Sequence, residues 1–249
     1  MISYIIRKLI FSVVVLFAAS IVIFGLVALG PDPLAELRQN PRLRSEDIER
    51  IADNYGLNDP LPNQYAIWMS GMIQGDFGES FKQNAPVSEI IAPRVWPTVL
   101  LMGVSLIFTV IIAVPFGIYS AIKKYSLLDN AGTFLSFVGF SMPSFWLGLI
   151  LQLVLGIYLS AWAGTRIFYV SGMRSGDGGF IDLLQHITLP VITLSVISIA
   201  EFSRFQRGAM LEVLSADYLR TARAKGLSRR TVYLKHALRN ALVPRQATL

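Results

Sequence analysis

The chain has 249 residues, 53% of them hydrophobic and only 15% charged, against about 25% charged in an ordinary water-soluble domain. The net charge is +6, but the positive excess sits in short segments between apolar runs, a placement that orients a membrane protein and argues against a nucleic-acid surface. Cysteine is absent, which excludes a disulfide framework, a thiolate zinc site and a cysteine nucleophile.

Leu9 to Leu29 carries no charge and follows Arg7 and Lys8. About 20 apolar residues cross a bilayer as a helix, whereas the apolar core of a cleavable signal is shorter. The run is read as an uncleaved first span, 9–29, with a cytoplasmic N-terminus. Gly30-Pro31-Asp32-Pro33 ends it. Residues 31–95 then carry ten acidic and six basic side chains and are expected outside. Within them Ser45 reads as an N-cap with Glu46 and Asp47 in the first turn. Ile48, Ile51, Ala52 and Tyr55 come next at helical spacing, and Gly56 gives a stop. Tyr65, Trp68, Met69 and Met72 form a second stripe. It lacks the basic flank of a membrane-surface helix, so packing on a neighbouring helix is expected.

Val95 to Ile122 is again uncharged and is closed by Lys123 and Lys124, giving a second span, 96–122, that runs outside to inside through Pro115. The next uncharged run, Asn130 to Thr165, would be roughly 50 Å long as one helix, too long for a core of about 30 Å. Ser141-Met142-Pro143-Ser144 is the expected break. The part before it lies at the cytoplasmic interface and 143–162 crosses. Gly164 to Asp182 is glycine-rich and external, with Gly176-Asp177-Gly178-Gly179 as a flexible turn. The fourth span, 183–203, contains Gln185, His186, Pro190 and Glu201, so it should be surrounded by protein or line a path. Glu201 has Arg204 as a candidate ion-pair partner. From Arg204 the chain holds ten Arg or Lys up to Arg245, against Glu212 and Asp217, and is expected in the cytoplasm.

The segment from Asp217 to Pro244 reads as helix, tight turn, helix. Leu219, Ala222 and Ala224 favour a helix up to Gly226, a natural left-handed stop. Ser228 can cap a second helix that ends before Pro244. Thr221, Ala222, Ala224 and Gly226 are small enough for another protein to approach the backbone, and the arginines and lysines charge the rim. Such a hairpin suits docking in a partner's groove; the plain alternative is a basic loop that only sets topology.

Asp217-Tyr218-Leu219-Arg220-Thr221-Ala222-Arg223-Ala224-Lys225-Gly226-Leu227-Ser228, followed by His236-Ala237-Leu238-Arg239-Asn240-Ala241-Leu242-Val243-Pro244, resembles the EAA-type coupling loop of ABC-importer permeases of the dipeptide, oligopeptide and nickel branch. Arg220-Thr221-Ala222 stand where the general motif has Glu-Ala-Ala, and Gly226 is its glycine. Tyr55-Gly56-Leu57-Asn58-Asp59-Pro60-Leu61, Gly75-Asp76-Phe77-Gly78-Glu79-Ser80 and Ser141-Met142-Pro143-Ser144-Phe145 resemble, in order, other segments of that branch's first permease subunit.

The resemblance implies an all-α, polytopic helical transmembrane domain of the type I importer class. It implies six spans, of which four fall in this sequence, so the permease domain over 1–249 is expected to be C-terminally incomplete. A coupling loop over 209–244 would contact an ATPase through Asp217, Tyr218, Arg220, Thr221, Ala222, Arg223, Lys225, Gly226, Leu227, His236, Arg239 and Asn240. The implied partners are a homologous second permease, two cytoplasmic ABC ATPase subunits, an external substrate-binding protein that docks near 31–95, and the lipid bilayer. No catalytic, cofactor or metal residue is expected here. ATP and Mg would be bound by the ATPases, and the chain has no G-x-x-x-x-G-K-[ST] phosphate loop of its own.

Among the implied cargoes, di- and oligopeptides lead, with nickel chelates, glutathione and oligosaccharides as alternatives. An ion-coupled secondary transporter would need paired ionisable groups near mid-membrane, for which only His186 and Glu201 are candidates. A membrane enzyme finds no nucleophile–base–orienter set. His236 is expected to be structural, since a lone imidazole makes a poor metal site.

Overall fold

Four helices are long and apolar enough to cross a membrane, and the polar stretches between them fold into shorter helices and turns. In the computed structural model of the protein the described residues are 2–39, 44–80, 82–83, 85–176 and 178–242. The four long helices are α1 (Ile2–Ala28), α5 (Val87–Ile122), α7 (Ser144–Ala163) and α8 (Phe180–Leu214). Between and after them lie α2 (Ala35–Arg38), α3 (Ser45–Asn54), α4 (Leu61–Gln74), the two-residue strands β1 (Glu79–Ser80) and β2 (Ala85–Pro86), α6 (Leu127–Ser141), α9 (Asp217–Ala224) and α10 (229–241). By contact the chain divides into two units, Met1–Val95 and Trp96–Leu249.

In the first unit α4 lies on α1. Tyr65 meets Phe24 edge-on at 5.4 Å between ring centroids, and Trp68 meets Phe24 at 5.5 Å. The Ser20 and Tyr65 hydroxyls share a hydrogen bond of 2.8 Å. The stripe of Tyr65, Trp68, Met69 and Met72 is half-buried, so its apolar area goes to helix packing. Leu34, Ile48 and Ala52 form a small core with Leu37, Ile51 and Leu57.

Two details of α3 depart from expectation. Arg44, not Ser45, is the N-cap, because the helix begins one residue early: the Arg44 carbonyl already accepts from the Asp47 and Ile48 amides. Tyr55 leaves the apolar stripe. Its ring is exposed and its hydroxyl donates to Glu79 at 2.6 Å.

The second unit is organised around α8. Over its most apolar window 39% of this helix is buried, against none of α1, which is why α8 tolerates His186, Ser195, Ser203 and Gln206 in its interior. Each is buried, and the Ser195 hydroxyl donates to the Ser105 carbonyl of α5 at 3.1 Å. At Gly117 the two helices nearly touch: a Cβ there would lie 2.8 Å from the Ser203 carbonyl oxygen and from Gln206 Cβ. Any side chain at 117 would push α5 off α8. Helix α6 also packs on α8, and the chain breaks after Ser141 with Met142 and Pro143 extended before α7 begins.

Helix boundaries differ from those read in the sequence, beginning with α1, which starts at Ile2 and not at Leu9 where its uncharged run begins. Helix α5 starts at Val87, nine residues before the apolar run that marks it at Trp96. Helix α8 runs from Phe180 to Leu214, beyond both ends of 183–203, so residues 209–214, the first of the expected coupling segment, are helical. Nothing in the side chains of Arg204 or Arg207 stops a helix, and charge marks only where it leaves the apolar phase. Helix α7 widens to π geometry at Gln152–Tyr158, a local change that hydrophobic periodicity does not reveal.

The 164–179 loop is strapped down instead of loose. The Tyr169 amide donates to the Gln185 carbonyl at 3.1 Å and the Ser175 amide to Asp182 Oδ2 at 2.9 Å. The Tyr169 ring stacks on His186 at 4.0 Å with planes 7° apart. Asp177 of the expected glycine-rich turn lies outside the described residues.

Candidate coupling site

Helix α9, the turn at Gly226 and helix α10 form a hairpin. Its two arms are held by buried apolar side chains: Leu219 of α9 and Val232, Ala237 and Ala241 of α10 close around Met210 of α8 and Ala121 of α5. Leu219, Met210 and Ala237 are completely inaccessible. The hairpin is therefore pinned to the end of the fourth long helix. Only Ser215 and Ala216 separate α8 from α9, and their amides bond back to the Glu212 and Val213 carbonyls. No slack segment intervenes.

The turn is a Schellman closure. The Leu227 amide donates to the Ala222 carbonyl at 3.4 Å and the Gly226 amide to Arg223 at 3.0 Å. Gly226 sits at φ +76°, in the left-handed region that penalises a Cβ. A Cβ at that position would meet no atom within 4 Å, so the requirement for glycine comes from the backbone alone. Ser228 caps α10, its hydroxyl accepting from the Thr231 amide at 3.3 Å. The second arm adopts π geometry over Thr231–Ala237 and returns to α-helix at Leu238–Ala241.

Most of the sequence-derived site residues share the exposed surface of this hairpin. Asp217, Tyr218, Arg220, Thr221, Arg223, Lys225, Gly226, Leu227, Arg239 and Asn240 are exposed, while Ala222 and His236 are half-buried. Tyr218 and Asn240, one on each arm, are joined at 2.9 Å by the Asn240 amide donating to the Tyr218 hydroxyl. The Asp217–Arg220 pair is 3.5 Å apart with both side chains largely in solvent, too wet to hold anything rigidly. Its charges remain available to a partner. The Val243-Pro244 end of the segment lies outside the described residues. Beside the hairpin a cavity of about 590 Å³ opens among Arg204, Phe205, Glu212, Tyr218 and Asn240.

Sequence reasoning passed over one pair. Asp129, at the first turn of α6, takes two parallel hydrogen bonds from Arg207 of α8: Nε to Oδ1 at 2.8 Å and Nη2 to Oδ2 at 2.9 Å. The Asp129 side chain is 2% exposed. The Arg207 hydrogen bonds hold its carboxyl below the ordinary carboxylate range, outweighing the effect of burial. The pair is 78 residues apart in sequence, and the only signal was an acid in an otherwise uncharged run facing a distant arginine. Glu201 and Arg204, the pairing considered from sequence, do not bridge. Among the described residues Glu201 has no ion-pair partner, and Arg204 lies over the Phe137 ring at 5.0 Å. No group of three or more His, Asp or Glu side chains gathers closely enough to hold a metal ion among the described residues.

Comparison with known proteins agrees with this architecture. Residues 113–248 match the binding-protein-dependent transport system inner membrane component family, and residues 1–103 match the N-terminal membrane component of such systems. The chain is 41% identical over 247 residues to the oligopeptide transport system permease protein AppB of Bacillus subtilis, covering 98% of this chain and 76% of that protein. It is 38% identical to the oligopeptide permease protein OppB of Mycobacterium tuberculosis, covering 100% and 78%. It is 33% identical to the dipeptide permease protein DppB of Escherichia coli, covering 98% and 77%. A multi-helix membrane chain that carries this hairpin and matches these relatives along nearly its whole length belongs to the family of inner membrane components of binding-protein-dependent ABC importers.

Proposed function

We propose that this chain is a non-catalytic pathway subunit of an ATP-driven importer of di- and oligopeptides, and that the α9–α10 hairpin is the element a separate ATPase holds. The observation that carries the reading is the hairpin itself. Its buried apolar side chains pin it to α8, while its charged and small residues, with Tyr218, Leu227 and Leu234 among them, face outward on a helix–turn–helix of fixed geometry. A surface built this way has little else to do than meet another protein. The peptide cargo rests on the names of the relatives, which are oligopeptide and dipeptide permeases.

In this reading the N-terminus and the hairpin are cytoplasmic, and residues 31–95 face the substrate-binding protein. A homologous second permease completes the pathway. Closure of two ATPases around ATP and Mg shifts the paired hairpins and switches the bundle between outward and inward access. The Arg and Lys excess after residue 204 supports that orientation.

The test is uptake in vesicles that contain the full transporter and its binding protein. Labelled peptide should accumulate with internalised or exposed ATP according to orientation, and vanadate should stop it. Uptake that tracks an imposed proton gradient and ignores ATP would overturn the assignment. Mass spectrometry of the ligand that copurifies with the binding protein identifies the cargo, and a nickel chelate or glutathione there would replace peptide.

A further inference from the structure

The hairpin is joined rigidly to α8, but transport requires the bundle to change shape along with it. Above the hairpin on α8 stands the Asp129–Arg207 pair, its carboxylate buried, and four features surround it. Arg207 stands seven residues before the end of α8, and only Ser215 and Ala216 separate that end from α9. The guanidinium meets the carboxylate side-on through two bonds of 2.8 and 2.9 Å, a geometry that fixes angle as well as distance. Asp129 Oδ2 also accepts from the Tyr125 amide at 2.9 Å. Tyr125 itself stands at φ +64°, as the one non-glycine residue with positive φ among those described.

A tyrosine in the left-handed region is uncommon and is held there by its surroundings. Here the conformation turns the Tyr125 amide onto the same carboxylate that Arg207 grips. Asp129 thus ties together three parts of the chain: the turn leaving α5, the start of α6, and the inner end of α8. Next to Arg207 on α8, the Gln206 side-chain amide is buried without a hydrogen-bond partner among the described residues. Gln206 packs against Gly117 of α5, so this unsatisfied amide belongs to the α5–α8 contact beside the fork, where a second arrangement can satisfy it. Elsewhere α6 meets α8 through apolar contacts such as Gly139 against Val196 and through Arg204 over the Phe137 ring at 5.0 Å, contacts that fix the angle between the helices less than a two-bond fork does.

We propose that Asp129 and Arg207 are the positioning residues through which movement of the α9–α10 hairpin carries α6 along with α8, so that the two helices turn as one body. The proposal rests on the hairpin being the ATPase-held element and adds where its motion enters the bundle. Without the fork the hairpin still docks, yet α8 moves against α6 and the stroke is lost between them.

Two variants separate this role from simple stability. D129N/R207M removes both charges together and leaves no buried ion unpaired. R207K keeps the charge but loses the two-bond fork. Both are assembled into the full transporter with its ATPases and binding protein in liposomes. Both should retain ATPase copurification and ATP hydrolysis, while peptide taken up per ATP falls about tenfold, a typical coupling between sites. Spin labels on Leu127 and Arg229, both exposed, should give a broadened distance distribution in each variant.

Uptake per ATP that matches the wild type in both variants overturns the proposal, as does an unchanged distance distribution. Should D129N/R207M fail to accumulate, R207K carries the same comparison. If the wild-type complex itself shows no ATP-driven uptake, the importer reading fails instead. The label distances then still decide whether the fork holds α6 to α8.

Discussion

Replacement of Gly226 separates backbone geometry from every other property of the hairpin. At φ +76°, with no atom within 4 Å of the place a Cβ would take, a new side chain meets only its own backbone. Alanine should then cost about 1 kcal/mol, the usual penalty for an L-residue in the left-handed region. Valine, β-branched, should cost about 2 kcal/mol or more. Asparagine, which tolerates that region through local hydrogen bonds, should cost only a few tenths of a kcal/mol, by rough analogy with its use at helix C-termini. These energies bear on opening of the Schellman turn, so exchange of the Leu227 amide, bonded to Ala222, should quicken by about tenfold or more in Gly226→Val. In the assembled transporter the order of ATPase copurification should be glycine, asparagine, alanine, valine at equal membrane abundance. Valine indistinguishable from glycine, or asparagine as damaging as valine, would refute the reasoning, because neither is compatible with a φ requirement.

Three further outcomes are expected. His186→Ala removes the stack on Tyr169 and the 2.8 Å bond to the Asp182 carbonyl, so trypsin should cut at Arg166 and Arg174 several-fold faster, with about the same rate at Arg229; equal rates would mean the strap does not depend on the imidazole. Asp32 accepts from the Leu34 amide and pairs with Arg38, which hold its pKa below the ordinary 3.8. Because the folded pKa is the lower one, this contact is intact above about pH 4 and is lost as pH falls through the depressed value; Leu34 amide exchange, corrected for intrinsic pH effects, should show that loss and should not in Asp32→Asn. For topology, a cysteine at Ser45 should react with an impermeant reagent in intact cells and one at Arg229 should not, Arg229 being preferred to Ser228 because the Ser228 hydroxyl caps α10; the reverse pattern would invert the orientation.

The long apolar runs, the break at Met142-Pro143, the left-handed glycine at 226 and the Ser228 cap are legible in the sequence because each obeys a local rule: run length, proline chemistry, or a cap at a fixed offset. The early start of α3, the length of α8 and the strap over His186 are not, since they depend on what packs alongside. Asp129 and Arg207 are the clearest case. Each residue taken alone is an ordinary charge near a span end, and only the approach of α6 to α8 turns them into a fork on a buried carboxylate. Among the coupling residues, the type and spacing predicted a hairpin, but the join between Tyr218 and Asn240 depends on how the two arms pack, which no local rule gives.

That widened geometry also bears on chain length. A π segment accommodates one residue more than an α-helix of the same rise, so the surplus is absorbed in one wide turn and does not impose the rotation of about 100° that an extra residue gives in an α-helix. Among the described residues such a surplus occurs twice, at Gln152–Tyr158 and at Thr231–Ala237. These are two places where a single-residue deletion leaves an unbroken helix, now in α register, instead of a broken one. Such a deletion keeps the azimuth of the residues beyond it, Trp162 at the end of α7 and Asn240 facing Tyr218. Residue count within these two helices is therefore a slack that one wide turn takes up without moving what lies beyond it.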